Sequence, residues 1–224
     1  MNLTPVQARI VGCLIEKEMA TPDNYPLTMN GLLAACNQTS NRNPVTRLEE
    51  PTVSNALENL RAMNVVRIVY SRSNRADKFR HVVDEILALE PQDMALLSVL
   101  LLRGPQTASE LRTRTERLHP FEDVDEVLET LGQLAGRSEP LVARLERQPG
   151  QKENRWAHLL GGDLAEVLAS AASDGDGRPS ESHGASRADR LAALEETVAD
   201  LRADLDRLQA SHRDLVARLG ETDA

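Results

Sequence analysis

The side chains best suited to chemistry form a neutral, hydrogen-bonding strip, Thr52, Ser54, Asn55 and Asn59, within a locally basic stretch. Residues 40–81 hold 8 Lys and Arg against 4 Asp and Glu. Hydroxyls and carboxamides read base edges through paired donors and acceptors, whereas guanidinium and ammonium groups hold phosphates without reading sequence. On that chemistry Arg42, Arg47, Arg72, Arg75 and Lys78 are candidate phosphate contacts, with Arg80 close behind them. Solvated surface explains the same charges equally simply. The Asn, Thr and Ser residues of the loop 38–47 also serve as turn and cap formers, so structure and ligand contact weigh about evenly there.

Catalytic patterns fare poorly. The 5 histidines, His81, His119, His158, His183 and His212, are scattered, and no Cys/His spacing resembles a metal site. Gly161-Gly162-Asp163 lacks the lysine and the strand-to-helix setting of a phosphate-cradling loop. A nucleophile elbow is missing from the sequence, and no carboxylate pair stands out in a chain so rich in acids. The expectation is a non-enzymatic protein with no catalytic residues, no metal and no cofactor. Cys13 and Cys36 sit inside apolar helical patterns and read as reduced, buried thiols.

The positioning elements follow from periodicity. Thr4-Pro5 reads as a helix start, and Leu3, Val6, Ile10, Cys13 and Leu14 recur at helical spacing to about Met19. A second short helix is predicted from Thr28 to Asn37 and a third from Pro51, with Val53, Ala56, Leu57, Leu60 and Met63 on its apolar stripe. A β-branched run, Val65 to Tyr70, a polar turn and Lys78 to Val82 then predict a hairpin with a basic tip. Helices followed by a two-stranded wing describe the winged variant of the helix-turn-helix, whose third helix is the reader.

The same order returns from Glu90-Pro91, with helices to Leu102, from Thr107 to Thr115 and from Glu122 to Leu134. A second hairpin joins Leu141–Leu145 to Trp156–Leu159 around Pro149-Gly150. Val124, Val127, Leu128, Leu131 and Leu134 repeat the stripe of the earlier helix at a constant offset. Its outer face differs: Glu122, Asp125, Glu126 and Glu129 would repel phosphate and suit a protein partner instead. Acids near a helix N-terminus also favour the helix dipole, which explains part of the pattern.

Residues 173–186 are Ser, Gly, Asp and Pro without apolar periodicity, the composition of a flexible linker. Beyond them Leu191, Leu194, Val198, Leu201, Leu205, Leu208, His212, Leu215 and Leu219 alternate in steps of three and four, which predicts a self-associating coiled coil over 187–220. The expected architecture is therefore mainly α with small β-hairpin wings: two tandem winged-helix domains, 1–88 and 89–172, then linker and coil.

Charge follows this division. The formal net charge is −9, yet residues 1–88 carry 10 basic and 9 acidic side chains while residues 161–224 carry 7 and 14. Only the leading repeat suits a polyanion. The longest apolar run, Ala95 to Leu102, is far short of a membrane span, and the N-terminus lacks an export pattern, so a cytoplasmic protein is expected.

One resemblance is specific. Leu14-Ile15-Glu16-Lys17-Glu18, Thr21-Pro22, Tyr25-Pro26-Leu27-Thr28 and the run Ala35-Cys36-Asn37-Gln38-Thr39-Ser40-Asn41-Arg42-Asn43-Pro44-Val45 are similar to the YceH family of bacterial proteins, over about residues 1–160. The resemblance implies a duplicated winged-helix fold and brings no biochemical activity with it. Two functional expectations remain: a dimeric protein that binds double-stranded DNA as a transcriptional regulator, or a protein–protein adaptor that works through its acidic second repeat.

Overall fold

The computed structural model describes residues 1–70, 76–147 and 153–161. The linker, the coiled-coil heptads, the Pro149-Gly150 turn and the wing-tip residues Arg72 and Arg75 lie outside the described residues.

Helix α1, Pro5–Ala20, starts where the sequence places it: Gln7 N donates to Thr4 Oγ1 at 3.3 Å and Thr4 N to Gln7 Oε1 at 2.9 Å, with Pro5 in the first turn. A 3-10 turn, Pro22–Asn24, leads to strand β1, Leu27–Thr28, and helix α2, Met29–Cys36, capped by Thr28 Oγ1. Helix α3, Glu50–Ala62, precedes strands β2, Val66–Val69, and β3, Lys78–His81. A short helix α4, Val83–Leu87, joins this half to helix α5, Pro91–Arg103. Strand β4 (Gln106–Thr107), helices α6 (Ala108–Thr115) and α7 (Val124–Ala135) and strands β5 (Val142–Arg144) and β6 (Arg155–His158) complete the described chain.

The element order recurs, and so does the strand pairing. Each half closes a three-stranded antiparallel sheet, ordered β1-β3-β2 in the first and β4-β6-β5 in the second. Leu27 lies opposite Phe79 in one sheet, as Gln106 lies opposite Trp156 in the other. The two-residue strands β1 and β4 were not expected. They arise because the N-cap residues Thr28 and Thr107 must be extended, which aligns their backbones with the hairpin edge.

Two helices carry the interior. In α1 every residue from Gln7 to Ile15 is buried, and in α5 every residue from Asp93 to Leu102. A helix buried all round has partners on every side: α1 touches α2, α3, β3 and α5, while α5 touches α6, α7 and β6. They cross at Gly12, where a Cβ would lie 2.9 Å from Leu102 Cγ and 3.0 Å from Leu101 Cβ. One core cluster therefore runs through both halves. The seam closes at the ends, since Leu3 N donates to Leu160 O at 2.7 Å and Asn43 N to Leu102 O at 2.9 Å.

The apolar stripes of α3 and α7 are buried as expected except at three positions: Val124 is half-buried, Met63 is 40% and Leu128 41% exposed. Met63 is the C-cap of α3 and has left the packed face. Among the described residues no helix is long and apolar enough to cross a membrane.

Gly12→Val inserts branched carbon where a single Cβ already lacks space, and overpacking of this kind costs about 1–3 kcal/mol. Gly132→Ala is the control, because nothing lies within 4 Å of its Cβ position inside α7. Thermal melts should show a lower Tm for the first and, for the second, a gain of roughly 0.5–1 kcal/mol from removing a mid-helix glycine.

Candidate nucleic-acid interface

Helix α3 buries Val53, Ala56, Leu57 and Leu60, which turns Thr52, Asn55 and Asn59 out to solvent with Ser54 half-buried. Asn59 Nδ2 donates to Asn55 Oδ1 at 3.3 Å, so the two carboxamides sit one turn apart on one stripe. A cleft of about 490 Å³ separates this helix from the sheet, with Ser54, Glu58, Arg61, Ile68, Asp77 and Phe79 in its walls. Lys78 opens β3 opposite Thr28 and Val69, half-buried. Arg47 is exposed three residues before α3 begins.

Two strand arginines share one carboxylate. Arg80 Nη2 lies 2.6 Å and Arg67 Nη1 2.8 Å from the Glu85 carboxylate. The hydrogen bond from Arg80, then the charge of Arg67, holds the Glu85 carboxyl below the usual carboxylate range. Both pairs are exposed enough that salt screens them.

Arg42 is the correction. Its side chain has no exposed surface, and Nη1 and Nη2 meet the two oxygens of Glu16 at 3.0 and 2.7 Å. The remaining donors go to Ala35 O at 3.1 Å, Asn41 O at 3.0 Å and Gln38 Oε1 at 2.8 Å. A guanidinium with every N–H spent inside the protein has none for a phosphate. The loop around it is pinned as well: Asn37 Nδ2 donates to Leu48 O at 2.8 Å and Leu48 N to Asn37 Oδ1 at 2.7 Å. Its polar residues thus satisfy backbone and guanidinium, and of the loop arginines Arg47 alone faces solvent.

The acids at the start of α7 divide in the same way. Glu126 N donates to the N-cap Asp123 Oδ1 at 2.9 Å, and Glu126 Oε2 accepts from Glu122 N at 2.7 Å. Glu126 therefore fastens the start of α7. Glu122 is exposed, and its carbonyl takes Arg112 Nη2 at 2.8 Å. Asp125 and Glu129 are exposed on α7.

A feature the sequence did not reveal is a cleft of about 570 Å³ between the halves, walled by Lys17, Arg103, Arg114 and Arg117 among others. Burial, then the charges of Arg114 and Arg42, pushes Arg103 below the ordinary guanidinium value. These residues come from α1, α5 and the end of α6, too far apart in the chain for spacing to connect them. Cys13 and Cys36 are free and buried. Among the described residues no group of three or more His, Cys, Asp or Glu is arranged to hold a metal ion.

Residues 3–151 match the family described as "Protein of unknown function, DUF480". The chain belongs to that family. Its relatives carry the name UPF0502 protein: that of Pelobacter propionicus is 48% identical over 209 residues, covering 93% of this chain and 94% of the relative. The UPF0502 protein of Geobacter sulfurreducens is 50% identical over 201 residues, or 89% of this chain and 90% of its own. That of Burkholderia cenocepacia is 42% identical over 219 residues, or 98% and 90%. Thus this UPF0502-family chain is similar to its bacterial relatives along almost its whole length.

The Arg42–Glu16 pair makes a prediction. Removing one partner of a buried pair strands the other, so Arg42→Met should cost about 3–5 kcal/mol in urea unfolding. Burial raises the Glu16 carboxyl, but the hydrogen bond and charge of Arg42 outweigh it and hold the group below 4.5. A depressed carboxylate stabilises the fold above its unfolded pKa, and the contribution is lost as pH falls through the folded value. Stability measured from pH 6 downward should therefore fall below about pH 4.5 in the wild type and fall less steeply in Glu16→Gln.

Proposed function

We propose that this protein is a non-enzymatic, cytoplasmic DNA-binding protein, a transcriptional regulator of the winged-helix type, that works as a dimer. The duplicated winged-helix fold and the likeness to the YceH family belong to this reading. In it each half is one winged helix, α3 enters the major groove, and the 187–220 heptads supply two-fold symmetry. The observation that carries it is the contrast between equivalent helices. α3 turns Thr52, Asn55 and Asn59 outward together with the acid Glu58 and the base Arg61, whereas α7 turns out Asp125 and Glu129 with no basic residue along its length. Neutral hydrogen-bonding side chains suit base edges, and a row of carboxylates does not suit a groove lined by phosphates.

In this reading Asn55 and Asn59 face bases with Thr52 and Ser54 beside them. Arg47 and Lys78 hold phosphates, joined by the wing-tip Arg72 and Arg75, and Arg61 at the rim of the cleft is a further candidate. Arg42 takes no part, since its donors are spent on Glu16 and the loop.

A second reading has one observation in its favour. On α7 the exposed Leu128 stands between the exposed Asp125 and Glu129, an apolar side chain flanked by acids on an otherwise unpartnered face. A basic protein partner fits there. Asp125→Lys with Glu129→Lys should then release a partner recovered stoichiometrically with the wild type.

The DNA reading is tested by selecting genomic fragments on the full-length protein at low salt, then measuring affinity for those retained. Wild type should bind discrete fragments with affinity falling steeply as salt rises. Asn55→Ala should cost about 1–3 kcal/mol on the preferred fragment and little on others, while Arg47→Ala should weaken all fragments alike and flatten the salt slope by about one unit. No retained fragment at low ionic strength defeats the proposal.

A further inference from the structure

A second cavity, of about 350 Å³, opens where the start of α1, the loop through Pro44 and Leu48, the end of α5 and the end of β6 meet. Its wall is mostly carbon, supplied by Leu3, Val6, Pro44, Leu48, Leu100 and Leu101. Four polar side chains share that wall, Arg9, Asn43, Thr46 and His158, and of these Arg9 and His158 bring nitrogen atoms that are buried without a hydrogen-bond partner. Arg9 is only 5% exposed. Its Nη2 donates to Pro44 O at 2.6 Å, and its Nη1 has no hydrogen-bond partner. The Nδ1 of His158 is likewise buried without a partner. Burial keeps that imidazole neutral by pushing its pKa down to about 4.

Arg9 differs from Arg42 in one respect that matters. Both are buried, but Arg42 has Glu16, whereas no carboxylate pairs with Arg9 among the described residues. The groups that act on the Arg9 guanidinium are its own desolvation, the two thiols and the like charge of Arg42. A guanidinium stays protonated at any ordinary pH. A buried charge without a counter-charge costs several kcal/mol, and proteins rarely leave one unmatched.

We propose that this cavity binds a small apolar monocarboxylate, with its hydrocarbon part against Leu3, Val6, Leu100 and Leu101 and its carboxylate on the buried, unpartnered Nη1 of Arg9. His158, as the Nδ1–H tautomer, gives the second donor. The size lies at the lower end of small-molecule sites, and an apolar wall with few converging polar groups is their usual make-up. One guanidinium and one neutral imidazole match a single negative charge. A phosphate dianion would enter with a charge left over in an apolar wall. The site stands apart from the DNA reading and does not require it, although Arg9 holds Pro44 and so touches the loop that carries Arg47.

Calorimetric titration of the full-length protein at neutral pH tests the assignment, with octanoate and phenylacetate as probes and octanol and 2-phenylethanol as uncharged counterparts. The wild type should bind the two carboxylates saturably and at least tenfold more tightly than the matching alcohols. Arg9→Met keeps the length of the side chain and removes its charge, and should abolish that preference. Val6→Phe fills the cavity from a half-buried position and should weaken all four probes. Should Arg9→Met fail to fold, the wild-type comparison and Val6→Phe still decide. Equal binding of octanoate and octanol, no saturable binding of either carboxylate at millimolar concentration, or an unchanged preference in Arg9→Met each overturns the proposal.

Discussion

The crossing of α1 and α5 at Gly12 is the constraint on which the rest depends. Each helix is the central element of its own half, buried on all sides, and the two meet with space for a hydrogen atom and no more. Close packing of this kind has the density of a protein interior, which resists small displacement. The two halves thus share a core. Three features lie at the margin of that contact: the basic cleft on one side of it, the apolar cavity on another, and the loop 38–48 fastened to the end of α5 through Asn43.

Buried arginines show how the same residue type takes opposite parts. Arg42 is surrounded by acceptors and carries Glu16 as its counter-ion, so it organises the loop and offers nothing outward. Arg9, two turns before Glu16 on the same helix, spends Nη2 on Pro44 O and leaves Nη1 unpartnered. The lowered thiol of Cys13 reports on this local field. Burial acts to raise it, yet the hydrogen bond with Cys36 and the charges of Arg42 and Arg9 prevail. A patch of interior with two guanidiniums and one carboxylate is therefore net positive beneath a chain whose overall charge is strongly negative.

Much of the fold was legible because helices and hairpins announce themselves by period and by caps. Thr4-Pro5 and Gln7, the Thr28 and Thr107 caps and the apolar stripes of α3 and α7 carried local physics strong enough to be read residue by residue. Strands β1 and β4 were not legible, since two residues have no alternation to display. The candidate site was legible only for residues on a regular element. Thr52, Asn55 and Asn59 face outward because the buried positions of the same helix face inward. In the loop no such period exists, and whether Arg42 points in or out depends on Glu16, which lies 26 positions earlier in the chain. Arg9 was hidden for the opposite reason: it interrupts an apolar helical pattern where a long stem passes for core and the buried head gives no sign.

Gly161 draws a last consequence from the seam. Any Cβ there would sit 2.1 Å from the Leu3 carbonyl oxygen, well inside contact distance, and the obstacle is backbone that cannot swing aside. Leu3 is held in turn by its hydrogen bond to Leu160, one residue away. Mutational tolerance at position 161 is accordingly close to nil. A larger residue would push the segment before α1 away from Leu160 and disturb the wall of the apolar cavity to which Leu3 and Gly161 both belong. A single glycine with no chemistry of its own thereby sets how closely one edge of that cavity is drawn together.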